Sequence, residues 1–194
     1  MARSTHILQR PAQFQWDADS APCKSTNCNA TCVAMIAGFY KDTHYGPQFA
    51  RRRMQRGSNV CGGTSNYEAV RGLGTFGIPA RTGLLTMKQV KGKVEARIPV
   101  ILSVNYGKIP NIRAYQTDYN FNGMHAVLAI ARGTAKDHRG RLVPGIWVRD
   151  PDHASRRRPE RPSKTFWPDW VWGPAFKRPG TSTGITVYPR YRKS

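Results

Sequence analysis

Acidic residues are scarce in this chain. Against 31 Lys plus Arg stand 11 Asp plus Glu, a formal charge of +20 at pH 7. Such an imbalance speaks to partners more than to fold. It draws a protein toward anionic polymers, whether nucleic acid, teichoic-acid-type wall polymers or acidic protein faces, unless it only reflects an Arg-rich coding habit. Long apolar runs are also missing. No stretch approaches the roughly 18 apolar residues that a spanning helix needs. No apolar segment follows Met1-Ala2-Arg3-Ser4-Thr5-His6-Ile7-Leu8, as a secretory signal would require. The expectation is a protein made in the cytoplasm without a signal peptide and without membrane insertion. Cysteines number four, at 23, 28, 32 and 61. Without a signal peptide a disulfide framework is not the default, and the spacing fits no two-plus-two zinc knuckle. A zinc site using all four stays open, as does a Cys23–Cys32 or Cys32–Cys61 disulfide in an oxidising medium. No cofactor and no metal are expected.

What is present suits one domain. At 194 residues the chain is long enough to bury a core without staples. Its 39% apolar and 22% charged residues are not a disordered composition. Residues 1–22, with Pro11 and Pro22, read as an N-terminal arm, 23–189 as the domain and 190–194 as a basic tail.

From Asn27, an N-cap residue type, apolar positions Cys32, Val33, Met35, Ile36 and Phe39 fall at helical spacing, predicting a buried helix over 28–40. The run Arg51 to Arg56 reads as a short basic helix or loop, and 57–63 as a turn. A second helix is expected over 66–76, closed by Gly77, then a strand over 78–84 and a third helix over 86–95. The apolar run 98–104, the similar run 124–131 and the β-branched, aromatic run 142–149 read as strands. A long polar loop, 105–123, lies between the first two. The segment Phe166 to Trp172 is dense in aromatics, and 185–188 reads as a last strand. Helices first and strands later indicate α+β architecture, with N-terminal helices packed on a mainly antiparallel sheet.

Three residues carry the chemistry. Cys28 stands at the start of the buried helix, where unpaired N–H groups and the helix dipole favour thiolate. His125 sits in the apolar strand Gly123-Met124-His125-Ala126-Val127, where a polar ring needs a partner. Asp150 ends a strand just before Pro151, where extended geometry holds a carboxylate able to fix an imidazole tautomer. Taken singly they read as a core cysteine, a satisfied core histidine and a turn aspartate. Taken in order, they spell a nucleophile, a base and an orienting acid.

With those residues in view, Asn27-Cys28-Asn29-Ala30-Thr31-Cys32-Val33-Ala34-Met35-Ile36 resembles the nucleophile helix of papain-like cysteine peptidases of the bacteriocin-leader-processing, C39-like type. Gly63-Thr64-Ser65, Gly77-Ile78-Pro79-Ala80-Arg81, Ile98-Pro99-Val100-Ile101, Gly123-Met124-His125-Ala126-Val127 and Val148-Arg149-Asp150-Pro151 extend the likeness over about residues 20–175. The resemblance implies a papain-like fold and a Cys28–His125–Asp150 triad. It departs from the family at Asn29, where Gly is usual, and at Pro22, where the oxyanion Gln is expected. Gln15 takes that role if 18–27 is an insertion, with Gln13 the second choice. Cys23 and Cys32 are rival nucleophiles, but neither occupies the matching position.

The implied activity is hydrolysis of a peptide or amide bond. Peptide, protein and peptidoglycan are the candidate substrates. Leader processing is the least supported, since no exporter segment is read. By family analogy the chain looks like a phage-encoded component of a virion or tail that meets the cell wall, with other virion proteins as partners. Two other readings stand beside it. One is a non-catalytic docking module of the same fold. The other is nucleic-acid binding through Arg51–Arg56 and Arg156–Arg161, which no zinc-finger or RNA-recognition motif accompanies.

Overall fold

The computed structural model describes residues 21–55, 61–110, 112, 115, 122–152, 164–175 and 181–188. The expected arm over 1–22, apart from Ala21 and Pro22, the tail over 190–194 and the Arg156–Arg161 run lie outside the described residues, as do Gln13 and Gln15.

Helix α1 (Cys28–Lys41) opens the fold and α2 (Pro47–Met54) follows, with Pro47 in its first turn. Helix α3 (Asn66–Thr75) starts at a capping box. Ser65 Oγ accepts from the Glu68 amide, and a Glu68 carboxylate oxygen accepts from the Ser65 amide. Thr86 and Gln89 repeat that device at the start of α4 (Met87–Glu95). Gly77, with φ of 70°, turns the chain out of α3 in a conformation that favours glycine.

The strands are β1 (Ala80–Thr86), β2 (Val100–Asn105), β3 (Met124–Lys136), β4 (Leu142–Arg149), β5 (Thr165–Pro168) and β6 (Thr181–Val187). They form one six-stranded sheet in the order β1-β6-β2-β3-β4-β5, with antiparallel pairing throughout. Helix α5 (Asp169–Ala175) leaves directly from β5.

The sheet is apolar on both faces because alternate residues of the central strands point opposite ways. Ile101, Ala126, Leu128, Ile130, Ile185 and Val187 meet α1, α2 and α3 through Val33, Ile36, Met54 and Leu73. Val100, Leu102, Val127, Ala129, Ile146 and Val148 meet α4 and α5 through Val90, Val94, Val171 and Trp172. The expected layering of N-terminal helices on a sheet holds for one face. The second face is covered by α4 and α5, and α5 with β5 arises from the aromatic segment to which no element was assigned. Trp167 and Trp172 from this segment are fully buried. Truncating either to Ala costs about 3–5 kcal/mol.

Two local expectations are corrected. Asn27 occupies the N-cap position of α1, but its side chain makes no cap hydrogen bond. Its Oδ1 accepts from Arg51 Nε and its Nδ2 donates to Gln48 Oε1. The disulfide joins Cys23 to Cys61 and leaves Cys28 and Cys32 as free thiols. Neither pairing through Cys32 forms, because Cys32 lies inside α1 with its sulfur turned to the Ala126 carbonyl at 3.7 Å. The disulfide also takes two of the four sulfurs that a zinc site would have required.

Candidate active site

Cys28 is the first residue of α1 and is half-buried. Its neighbours are tied down on both chain sides. On the N-terminal side, Lys24–Thr26 form a short 3-10 turn, in which the Thr26 amide and hydroxyl both donate to the Cys23 carbonyl. On the C-terminal side, Asn29 Nδ2 donates to the carbonyls of Thr64 and Ser65, both at 3.3 Å, at the entry to α3. The residue that departs from the family's usual Gly therefore clamps α1 to α3. With the Asn27 side chain engaged elsewhere, the first amides of α1 are not capped by it.

His125 is the second residue of β3 and pairs with Val104 of β2. Arg149, the last residue of β4, pairs with Leu128. One further step sets Asp150 opposite Val127, diagonal to His125 and on the same face, within reach of a long side chain. The contact is made: His125 Nε2 lies 2.6 Å from Asp150 Oδ1. Asp150 Oδ1 also accepts from the Asp152 amide at 2.9 Å. Asp150 Oδ2 accepts from the Tyr106 hydroxyl at 2.9 Å. The Tyr106 ring stands edge-on to the imidazole, with centroids 4.7 Å apart. His125 and Asp150 are both buried, so the pair works away from bulk water.

Cys28 and His125 lie close enough that each shifts the other's titration. With Nε2 given to Asp150, the ring nitrogen left for the sulfur is Nδ1. Burial pushes the Cys28 thiol up. The His125 hydrogen bond and charge, with the backbone at Ala126 and Asn29, overcome it and leave the thiol lowered. Burial likewise pushes His125 down, but the Asp150 charge and hydrogen bond, followed by those of Cys28, hold it well above the ordinary histidine value. The opposite shifts favour the charged form of each group, thiolate on Cys28 and imidazolium on His125.

Cys32 behaves otherwise. Burial, reinforced by the charges of Cys28 and Asp150, pushes it well above the ordinary thiol value. It stays protonated and offers no rival nucleophile. Cys23 is locked in the disulfide.

The structure sets His125 against Asp150 and places Cys28 beside His125, and Gln15 and Gln13 lie outside the described residues. Sequence reasoning missed two neighbours of these residues. Tyr106 reads as one aromatic at the edge of a polar loop, and only the β2–β3 register carries it to Asp150. Arg51 reads as part of a charge run with a solvated face. Arg52 and Arg53 are exposed as such a run predicts, whereas Arg51 is fully buried. Among the described residues, no group of three or more His, Cys, Asp or Glu could hold a metal ion. No helix there is long and apolar enough to cross a membrane.

The fold is shared with solved cysteine peptidases. A double-glycine-motif protease from the AMS/PCAT transporter, crystallised with a leader peptide, aligns at a TM-score of 0.55 and 16% identity, over 92% of this chain and 91% of that one. The peptidase domain of Streptococcus ComA, a bifunctional ABC transporter, aligns at 0.56 and 15%, over 86% and 93%. A C39-like peptidase from Bacillus anthracis aligns at 0.58 and 16%, over 94% and 96%. No curated protein matches in sequence. The Peptidase C39 like family model matches residues 7–172, and the chain belongs to that family of cysteine peptidases.

Proposed function

We propose that the chain hydrolyses a peptide or amide bond through a covalent thioester, with Cys28 as nucleophile, His125 as proton carrier and Asp150 as the group that orients it. The observation that carries this reading is the position of His125, hydrogen-bonded to the Asp150 carboxylate on one side and electrostatically coupled to the Cys28 sulfur on the other.

The thiolate of Cys28 attacks the carbonyl carbon, and the carbonyl π electrons move to oxygen. The resulting oxyanion meets the Cys28 backbone N–H and a side-chain amide, for which Gln15 is the candidate. One such donor is worth on the order of 100-fold in rate. Collapse breaks the C–N bond, and the leaving amine takes its proton from the His125 imidazolium. Water then adds to the thioester while His125 accepts its proton. The acid leaves, and the thiolate–imidazolium pair is restored. Asp150 and Tyr106 hold the ring in register through both halves.

The substrate is proposed as a peptide-bearing polymer or protein with acidic character, since the chain carries +20. Peptidoglycan cross-links and a virion protein, in a phage setting, are the specific candidates. The leader peptide bound by the AMS/PCAT relative is a third peptide substrate of the same chemical class.

Cys28→Ala is the direct test. Hydrolysis of peptide and peptidoglycan substrates should vanish while the circular dichroism spectrum is kept. Iodoacetamide should label Cys28, and not Cys32, with a midpoint below that of an ordinary thiol. Activity should follow a bell in pH. The acid limb should lie below the ordinary thiol pKa, where the pair gains a proton. The alkaline limb should lie above the ordinary imidazole pKa, where the imidazolium loses one. Retained hydrolysis in Cys28→Ala would end this reading. A thiol unreactive near neutrality would leave a docking module with an idle triad.

A further inference from the structure

The mechanism above makes no use of one fully buried cation. Arg51, in the last turn of α2, is 0% exposed, and its guanidinium reaches the segments on both sides of the nucleophile. Nη2 donates to the Thr26 carbonyl and, at 3.0 Å, to the Thr26 hydroxyl. Nε donates to Asn27 Oδ1 at 2.5 Å. Nη1 donates to the Gly62 carbonyl at 2.9 Å. Thr26 and Asn27 are the two residues before Cys28. Gly62 adjoins the disulfide half-cystine Cys61 and lies two residues before Thr64, whose carbonyl accepts from Asn29. One planar fork therefore joins the chain entering the nucleophile to the loop that clamps the chain leaving it.

Burying a guanidinium is costly unless its donors are satisfied and a negative charge lies near. Burial pushes the Arg51 pKa down, and the charges of Cys28 and Glu68 act against that. Glu68 is already engaged in the capping box of α3.

We propose that Arg51 is a positioning residue for the nucleophile: its fork fixes the Thr26–Asn27 turn that presents Cys28 to His125. The charged and titratable groups around that sulfur come from every packed element. They are His125 on β3, Asp150 behind it at the end of β4, Cys32 on α1 itself, Arg51 on α2, and Glu68 on α3 acting on Arg51. The inference rests on Cys28 being the nucleophile.

The test compares the full chain with Arg51→Gln and Arg51→Lys, reading iodoacetamide labelling of Cys28 against pH, and kcat and KM on one peptide substrate. Arg51→Gln removes the fork and should lose at least about tenfold in kcat, with KM little changed. Arg51→Lys keeps the charge without the fork. It should label within about threefold of the parent at every pH yet lose at least about tenfold in kcat, with KM little changed. A folded Arg51→Gln with the parent's kcat overturns the assignment, and so does an Arg51→Lys with the parent's kcat. Should the Gln variant fail to fold, the Lys variant decides alone. Failure of both to fold also overturns it, because Arg51 would then serve the fold and not the nucleophile. If the parent itself shows no acid-shifted labelling, the peptidase reading is what has failed.

Discussion

The two halves of the site are held by different means. The sulfur half is built inside residues 23–65 by polar side chains that bond backbone carbonyls: Arg51 to Thr26 and Gly62, Asn29 to Thr64 and Ser65, with the Cys23–Cys61 disulfide alongside. The imidazole half is built by strand alignment. Val104 opposite His125 and Leu128 opposite Arg149 bring the ring and the carboxylate to one face, and Tyr106 closes over them. A one-residue slip in β3 would turn His125 to the opposite face, while the sulfur half would be untouched. Damage to the first half should therefore show as stability and presentation, and damage to the second as protonation.

Asp150→Asn should break that contrast most sharply. The amide cannot hold the imidazolium, so kcat should fall on the order of 100- to 10,000-fold. The bell should narrow from both sides. The alkaline limb moves to lower pH because His125 loses the charge that raises it, and the acid limb moves up because the sulfur loses part of its cation. A pH–rate profile of unchanged width would remove Asp150 from its role.

Next in size is the double change Cys23→Ser, Cys61→Ser. The two cysteines are separated by 38 residues in sequence, and opening such a loop costs about 2–4 kcal/mol. Urea unfolding should record the loss. The positions of both limbs of the bell should stay, since neither sulfur touches the imidazole half. A shift of the alkaline limb would show that the halves are not separate.

Tyr106→Phe should act in the other direction, on rate, with a smaller loss of stability. One hydrogen bond to a buried carboxylate is lost, worth about 1.5 kcal/mol or somewhat more. The expected fall in kcat is roughly tenfold by steady-state assay. The smallest effect is expected from Asn29→Gly, which restores the family's usual residue. It removes two long hydrogen bonds but also a buried Oδ1 that has no partner. Stability should drop by about 1 kcal/mol and kcat should stay within about threefold. A larger rate loss would place Asn29 nearer the chemistry than a clamp.

The same contrast explains what the amino-acid order disclosed. Helix α1 was legible because Val33, Ile36 and their neighbours repeat at helical spacing. Helices α3 and α4 were legible because Val70 with Leu73 and Val90 with Val94 fall at helical spacing, and the capping boxes at their starts agree with that pattern. Strand β4 was legible from its β-branched and aromatic run. The segment Phe166–Trp172 was not, since a four-residue strand buried at every position and a short helix holding Gly173 and Pro174 carry no period to detect. Within the site, Cys28, His125 and Asp150 could be picked out because each stands at the end of an element with a marker beside it. Tyr106 and Arg51 could not. Tyr106 depends on pairing between residues far apart in the chain. Arg51 sits among arginines that look alike until packing buries one of them. The disulfide partner of Cys23 was likewise hidden, because linear spacing gives no measure of which sulfurs meet.

The pairing of Cys23 with Cys61 has a practical consequence at the bench. Assay buffers for sulfur nucleophiles usually carry dithiothreitol to keep the reactive group from oxidising. Here the same additive meets an exposed half-cystine at Cys61, joined to a partner only 1% exposed. A preparation reduced hard enough to rescue Cys28 risks loosening the loop that frames it. Activity titrated against reductant should therefore rise and then fall, and the concentration at the peak is the one at which the enzyme should be studied.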